Sequence, residues 1–333
     1  FLFGFQHIVS DPARVGYDHV CNENGTACTT VASDVKQFFE GRAADDRPFY
    51  AEVGFSEVHR MYRHIEEIYA AEEDVTPLPF LEDTPGLRQD LAMFYADITV
   101  MDRAVGRILG ALEEAGLEDE TLVIFTTDHG EAFPRAKATL YDSGLRTALL
   151  MRWPNGFSGG QIIHPMISNV DVTPTVLHAI GLEVPGNVEG RSFLPLLRGK
   201  DYEPRDCIFA EKNTTPGDPR RCVRTEGHKY IRNYGQGAWY QSPTDVEVTR
   251  SMESLPDRYL DAVPATELYD LRSDPTEEDN LAGHPEYSTV ENGLDAELER
   301  HMKRTGDPLL EGDIDRPQGE KKLVAGIREP ERM

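Results

Sequence analysis

Long apolar runs are missing from this sequence. No stretch of about 18 consecutive apolar side chains, the length a transmembrane helix needs, occurs in its 333 residues. Lysine is scarce: it supplies eight of the 34 basic residues, which face 59 acidic ones, and the formal net charge is −25. So negative a chain repels polyanions, which excludes a general nucleic-acid binder and requires any anionic ligand to meet a local positive site. Cysteine is limited to Cys21, Cys28, Cys207 and Cys222, at spacings that fit no zinc motif. Cys21 with Cys28 and Cys207 with Cys222 are conceivable pairs, but isolated thiols are the expectation in a chain of this length. The first residue is Phe1 rather than methionine, no signal peptide is legible, and no compartment is assigned.

What is present suffices for a large core, in one big domain or two unequal ones. Residues 1–4 are strand-like and apolar, and Val31, Val35, Phe38 and Phe39 share one face of a short helix over 31–40. Asp45-Asp46-Arg47-Pro48 marks a turn before a strand over 49–55. Residues 56–84 are irregular and acidic, a long loop of the kind that carries specificity. Leu91, Phe94, Ile98, Met101, Val105, Ile108 and Leu112 step by three and four along one helical stripe, ended by Gly116. A further helix opens with Asp171 or Thr173 as its N-cap and Pro174 near its first turn. After Arg198-Gly199-Lys200-Asp201 the pattern changes from alternating strand and helix to strands in series, at 207–210, 222–224, 229–233 and 267–271. The expected organisation is an α/β domain over 1–200, a smaller antiparallel subdomain over 201–310 and a charged tail over 311–333.

The densest chemistry lies in 121–154. Leu122, Val123, Ile124 and Phe125 read as a buried parallel strand that stops at Thr126-Thr127-Asp128-His129-Gly130. An acid and an imidazole at the carboxyl end of such a strand occupy the usual ligand position of an open α/β sheet. Lys137 follows, then a second strand-like run over 148–153.

This segment, with Tyr141, Gly144 and Arg146 set as Y-x-x-G-x-R and with Trp153-Pro154 closing the run, resembles the sulfatase family. Residues 49–55 followed by Val58-His59-Arg60 are similar to its strand ending in a Pro-His pair, with Val58 in the proline position. Residues 85–120 match its long helix. Glu267-Leu268-Tyr269-Asp270-Leu271, Asp274-Pro275 and Asn280-Leu281-Ala282 match its C-terminal signature. Arg47-Pro48-Phe49, the spacing of Phe133-Pro134 to Lys137, and Asn22-Glu23-Asn24-Gly25 are most similar to the N-sulfoglucosamine sulfohydrolase branch.

The resemblance implies an alkaline-phosphatase-like α/β fold: a mixed, largely parallel sheet flanked by helices, with a smaller C-terminal antiparallel α+β subdomain. It implies a hydrolase of sulfate esters or sulfamates on sulfated sugars. Asp128 and His129 would be ligands of a divalent metal, calcium first, with magnesium or manganese as alternatives. Lys137 would approach the sulfate oxygens, and His59 would protonate the leaving atom or hold a sulfate oxygen. His7 would be the histidine of a G-K-x-H segment in which Phe5 replaces the lysine. Arg60, Glu211 and Lys212 would be substrate contacts on loops after strands. Arg146 would sit in an internal ion pair, and Asp270 and Asp274 would serve turns and caps.

The family's nucleophile is a formylglycine made from the first residue of a C/S-x-P-x-R motif that follows an acid pair. No cysteine opens such a motif; Ser10-Asp11-Pro12-Ala13-Arg14 has its letters, but no acid pair precedes it and it follows the G-x-x-H segment of residues 4–7, which the family's nucleophile precedes, while Asp45-Asp46 sits at a turn. The expectation is a fragment whose preceding part holds the nucleophile and which is inactive alone. Two alternatives remain open: a phosphodiesterase or phosphonate monoester hydrolase of the same superfamily, and a non-catalytic sulfatase-like binding protein. The expected partner is a small-molecule or saccharide sulfate, and no oligomeric state is read.

Overall fold

A three-stranded parallel sheet opens the chain, in the order β2-β1-β3, from β1 (Leu2–Gly4), β2 (Val20–Cys21) and β3 (Glu52–Gly54). The computed structural model describes residues 1–42, 47–64, 71–213, 218–235 and 237–312. The expected Asp45-Asp46 turn and the expected tail from 313 onward lie outside the described residues. Two compact units are present, Phe1–Ala282 and Gly283–Met333. In the second, α7 (Ser288–Thr305) is the main described element.

Two helices, α1 (Cys28–Arg42) and α2 (Pro85–Glu114), pack on this sheet and on each other. α2 starts where Pro85 presets the first turn and the Thr84 hydroxyl accepts from Leu87 N at 3.2 Å. It ends with Gly116 N donating to Glu113 O and Leu117 N to Leu112 O. The apolar stripe of the sequence is there, but its most buried line is shifted to Ala96, Val100 and Ala104, with Phe94, Ile98, Met101 and Val105 only partly buried. Small side chains let α1 approach closely: Cys28 and Ala32 form one cluster with Val100 and Ala104. Phe3, Val31, Val35, Phe39, Ala111 and Leu112 form the neighbouring core between sheet and helices.

The strand expected to be buried and parallel differs. β4 (Val123–Thr126) pairs antiparallel with β5 (Leu149–Arg152), and Val123, Ile124 and Phe125 are half-buried. Between them lies the short helix α3 (Asp142–Leu145). α4 (Val172–Ala179) follows with Asp171 at its N-cap position, as expected, but the Asp171 side chain makes no cap hydrogen bond. Its buried carboxylate instead accepts from Ser168 N at 3.0 Å and Arg191 N at 2.7 Å and pairs with Arg205. Those donors outcompete the helix terminus because Asp171 already closes a capping box with Ser168.

After α5 (Leu194–Leu197) comes a four-stranded antiparallel meander of β6 (Cys207–Lys212), β7 (Arg220–Thr225), β8 (His228–Asn233) and β9 (Thr266–Asp270). α6 (Thr244–Glu247) lies in the β8–β9 connection. The meander shares one core with α2 and the 131–145 segment: Leu87, Leu91, Phe133, Tyr141, Ile231 and Tyr269 are among its members. The C-terminal signature is structural. The buried Glu267 carboxylate accepts from Tyr141 Oη at 2.7 Å and Tyr269 Oη at 2.6 Å, and Asn280 Oδ1 accepts from Leu268 N at 2.9 Å. Asp270 and Asp274 accept backbone N–H groups in the turns that follow, as expected of them. The internal ion pairs fall to Asp142, 2.6 Å from Lys229 and 3.0 Å from Arg224, while Arg146 is exposed. All four cysteines are free thiols. Among the described residues, no helix is long and apolar enough to cross a membrane.

Candidate active site

The parallel sheet positions the first two histidines. β1 and β3 end in register at Gly4 and Gly54, so the segments carrying His7 and His59 leave from adjacent carboxyl ends. A Cβ on Gly4 would lie 2.3 Å from Gly54 O, which is why a glycine closes the strand there. His7 is exposed, with its ring 5.8 Å from that of Phe5. His59 N donates to Ser56 O at 2.9 Å, which turns its imidazole outward, 58% exposed.

Lys137 meets His59 from a different part of the chain. Its Nζ lies 3.3 Å from His59 Nε2 and 2.7 Å from Asp245 Oδ2, and Asp245 Oδ2 lies 3.8 Å from His59 Nε2. α6 supplies Asp245. Burial acts to raise the Asp245 pKa, but the hydrogen bond and charge of Lys137, with His59 behind them, hold it below the ordinary value. The result is an amine, an imidazole and a carboxylate at one place, near-neutral in sum and open on the His59 side.

The segment bearing Lys137 is held by Arg135. This guanidinium is 1% exposed, stacks 4.2 Å from the Tyr141 ring centre and 4.9 Å from that of Tyr259, and donates to Glu277 O. Lys137 N donates to Glu131 O at 3.1 Å.

Asp128 and His129 follow β4. His129 N donates to Asp128 Oδ1 at 3.0 Å, and the two side chains stand 3.8 Å apart. His129 Nδ1 lies 2.7 Å from Gly130 O, a pure acceptor, so Nδ1 donates there and the neutral ring presents its lone pair at Nε2. Gly130 is required here, because a Cβ would lie 1.8 Å from Ser143 O, and its N donates to Gly144 O at 2.9 Å. An exposed carboxylate beside an imidazole whose other nitrogen is fixed by a carbonyl is a donor set that fits part of a divalent-metal shell.

The other expected contacts are placed differently. Arg60 is buried: its Nε donates to Ala132 O at 2.6 Å, its Nη1 pairs with Asp90 at 3.2 Å, and its plane lies over Tyr62 and Phe133. Lys212 is also buried, bonded to Asp218 at 2.5 Å, and burial lowers its pKa despite that partner. Glu211 is exposed at the end of β6, 3.5 Å from Arg221. The structure thus gathers His59 with Lys137 and Asp128 with His129, and turns Arg60 and Lys212 to internal ion pairs. Asp245 and Arg135 escaped sequence reasoning, because one acid among 59 and one arginine in a loop carry no local signal.

Comparison with known proteins bears on the family and the fold. The sulfatase family model matches residues 3–182, and the model of the N-sulphoglucosamine sulphohydrolase C-terminal region matches 130–247. An ulvan-active sulfatase of Formosa agariphila is 31% identical over 317 residues, covering 79% of this chain and 53% of that protein. The human N-sulphoglucosamine sulphohydrolase is 28% identical over 336 residues, covering 86% and 66%. A solved 2-O GAG sulfatase superposes with a TM-score of 0.65 at 19% identity, over 87% of this chain and 66% of that one, which shows a shared alkaline-phosphatase-like fold. The chain spans about half the length of the ulvan-active sulfatases it matches. The family generally uses a divalent metal and a formylglycine. With a family model matched over more than half its length, this chain belongs to the sulfatase family.

Proposed function

We propose that the protein hydrolyses sulfate esters or sulfamates on sulfated sugars, and that this chain supplies one side of the active site. The observation that carries the reading is the convergence of Lys137 and His59 to 3.3 Å across 78 residues. Lys137 Nζ places positive charge against the oxygens of the transferring sulfuryl group. His59, with one ring nitrogen facing that amine, donates a proton to the departing oxygen or nitrogen. Asp245 holds Lys137 in place. One amine balanced by one carboxylate suits a sulfate monoanion better than a phosphate dianion, which favours sulfuryl over phosphoryl substrates.

Asp128 and His129 Nε2 would hold the divalent metal, calcium by the hardness of the carboxylate, with magnesium or manganese compatible with the same pair. When bound, that metal supplies positive charge to the sulfuryl oxygens. His7, exposed at the end of β1, is a further sulfate contact in this reading. Glu211 is retained as a sugar contact, whereas Arg60 and Lys212 are assigned to the fold. No acid pair followed by a C/S-x-P-x-R motif occurs among residues 1–333, and none of the residues assigned here takes the nucleophile's role. Relatives that act on ulvan or on N-sulfoglucosamine support a sulfated sugar as the substrate class.

The test is sulfate release from N-sulfated and O-sulfated sugars by the full-length protein, alongside a phosphonate monoester. Sulfate release that falls about 100-fold or more in Lys137→Ala supports the reading. Unchanged release in that variant, or turnover of the phosphonate alone, overturns it.

A further inference from the structure

We propose that Cys28, Glu57 and His64 form a second cation site, separate from Asp128 and His129, for a thiol-preferring divalent metal of the zinc class. The inference is independent of the sulfatase reaction. The ligand atoms of these three residues lie within 4.8 Å of one another. Cys28 opens α1 and is fully buried, the Glu57 side chain is 1% exposed, and that of His64 is 20% exposed. Two of the three are therefore withdrawn from solvent, unlike a chance cluster of surface acids.

The hydrogen bonds already draw the three ligand groups together. Glu57 Oε2 accepts from Cys28 N at 2.8 Å and from Ser56 Oγ at 3.2 Å, and Oε1 lies 3.0 Å from His64 Nε2. The Cys28 thiol also hydrogen-bonds this carboxylate, so a metal would take the place of the thiol proton and the imidazole contact that now converge on it. A second observation points the same way. Asp97, 1% exposed, braces the site by accepting from Arg63 N at 3.0 Å and His64 N at 2.9 Å through Oδ1, while its Oδ2 is buried with no hydrogen-bond partner. Its charge reaches the Cys28 thiol. A buried carboxylate oxygen without a partner is costly unless positive charge answers it, and a cation beside Cys28 and Glu57 does so.

The donor set selects the metal. Sulfur, imidazole nitrogen and one carboxylate oxygen suit zinc and disfavour calcium or magnesium, which take oxygen alone. Zinc bonds of about 2.0–2.3 Å place ligand atoms roughly 3–4 Å apart, a small contraction from the present spread. On binding, Cys28 loses its proton to solvent, His64 exchanges its contact with Glu57 for the metal, and the thiolate and carboxylate together balance the double positive charge. The fourth position is left to water. Such a site would clamp α1 to both flanks of the segment that carries His59.

The experiment is metal analysis of the whole protein after chelator stripping and dialysis against zinc with calcium in excess. Cobalt is then used as a spectroscopic substitute. The expected result is about one zinc per chain beyond the calcium, and a thiolate-to-cobalt charge-transfer band in the near ultraviolet. Cys28→Ser abolishes the band and the bound zinc, and Asp128→Asn leaves both. If Cys28→Ser does not fold, His64→Gln at the more exposed ligand is read instead, with zinc binding weakened about tenfold or more. No retained zinc in the unaltered protein, a band that persists in Cys28→Ser, zinc affinity unchanged in His64→Gln, or zinc lost with Asp128→Asn overturns the proposal. Sulfate release is not part of the readout, so a failed sulfatase assay leaves the result intact.

Discussion

Lys137 donates to Asp245 at 2.7 Å although 108 residues separate them, and Asp245 is the side chain that aims the amine at His59. Replacing Asp245 with asparagine keeps a hydrogen-bond acceptor but removes the charge. In the full-length protein, Asp245→Asn is expected to lower kcat about tenfold, and Lys137→Ala about 100-fold or more. Steady-state assays that show equal losses for the two would place the carboxylate in the chemistry itself instead of behind the lysine.

Gly130→Ala tests the turn that presents Asp128 and His129. The new Cβ would meet Ser143 O at 1.8 Å, against backbone that cannot rotate away. The turn has to open, and metal affinity is expected to fall at least about tenfold, with a loss of stability of about 1–3 kcal/mol. Calcium titration by calorimetry and a thermal melt check both, and an unchanged affinity would detach the pair from metal binding.

Arg135→Ala removes a fully buried guanidinium from between Tyr141 and Tyr259. Lost packing and lost cation–π contact are expected to cost about 2–4 kcal/mol in urea unfolding. Activity is expected to fall further than stability alone explains, because Ala136 and Lys137 follow directly in the chain.

Asp142 carries a pH signature. Burial would raise its pKa, but Lys229 and Arg224 outweigh burial and hold it at about 2. A folded pKa below the unfolded one means stability that is complete above about pH 4 and lost as the pH falls toward 2. Glu277, on the same Lys229 Nζ at 2.6 Å, is shifted the other way because burial dominates there, so acidification relieves part of its cost. Asp142→Asn is expected to lose about 2 kcal/mol or more at neutral pH and to show a flatter decline between pH 4 and 2 than the unaltered protein. Urea unfolding at stepped pH measures it.

Much of this was legible in the residues because it is local. The α2 stripe, the Gly116 stop, the four strands after residue 200 and the D-H-G turn each depend on periodicity or turn chemistry within a few positions. The offset of the α2 burial line to Ala96, Val100 and Ala104 was not legible, because it depends on how closely α1 approaches. Arg60 and Lys212 read as substrate contacts because a basic residue after a strand usually faces solvent. Asp90 and Asp218 turn them inward, and neither partner is signalled by spacing.

The sequence by itself determined the family, the fold class and the identity of the candidate ligands Asp128 and His129, since motif order and short-range patterning survive without a partner chain segment. Only the tertiary structure decided which charges are free to act. Whether a lysine meets a sulfate or an internal aspartate depends on contacts such as Lys137–Asp245 and Lys212–Asp218 and on the burial around them, and burial is a property of the packed chain. The same holds for Cys28, Glu57 and His64, whose spacing matches no metal motif and which become a candidate site only when α1 packs beside the end of β3.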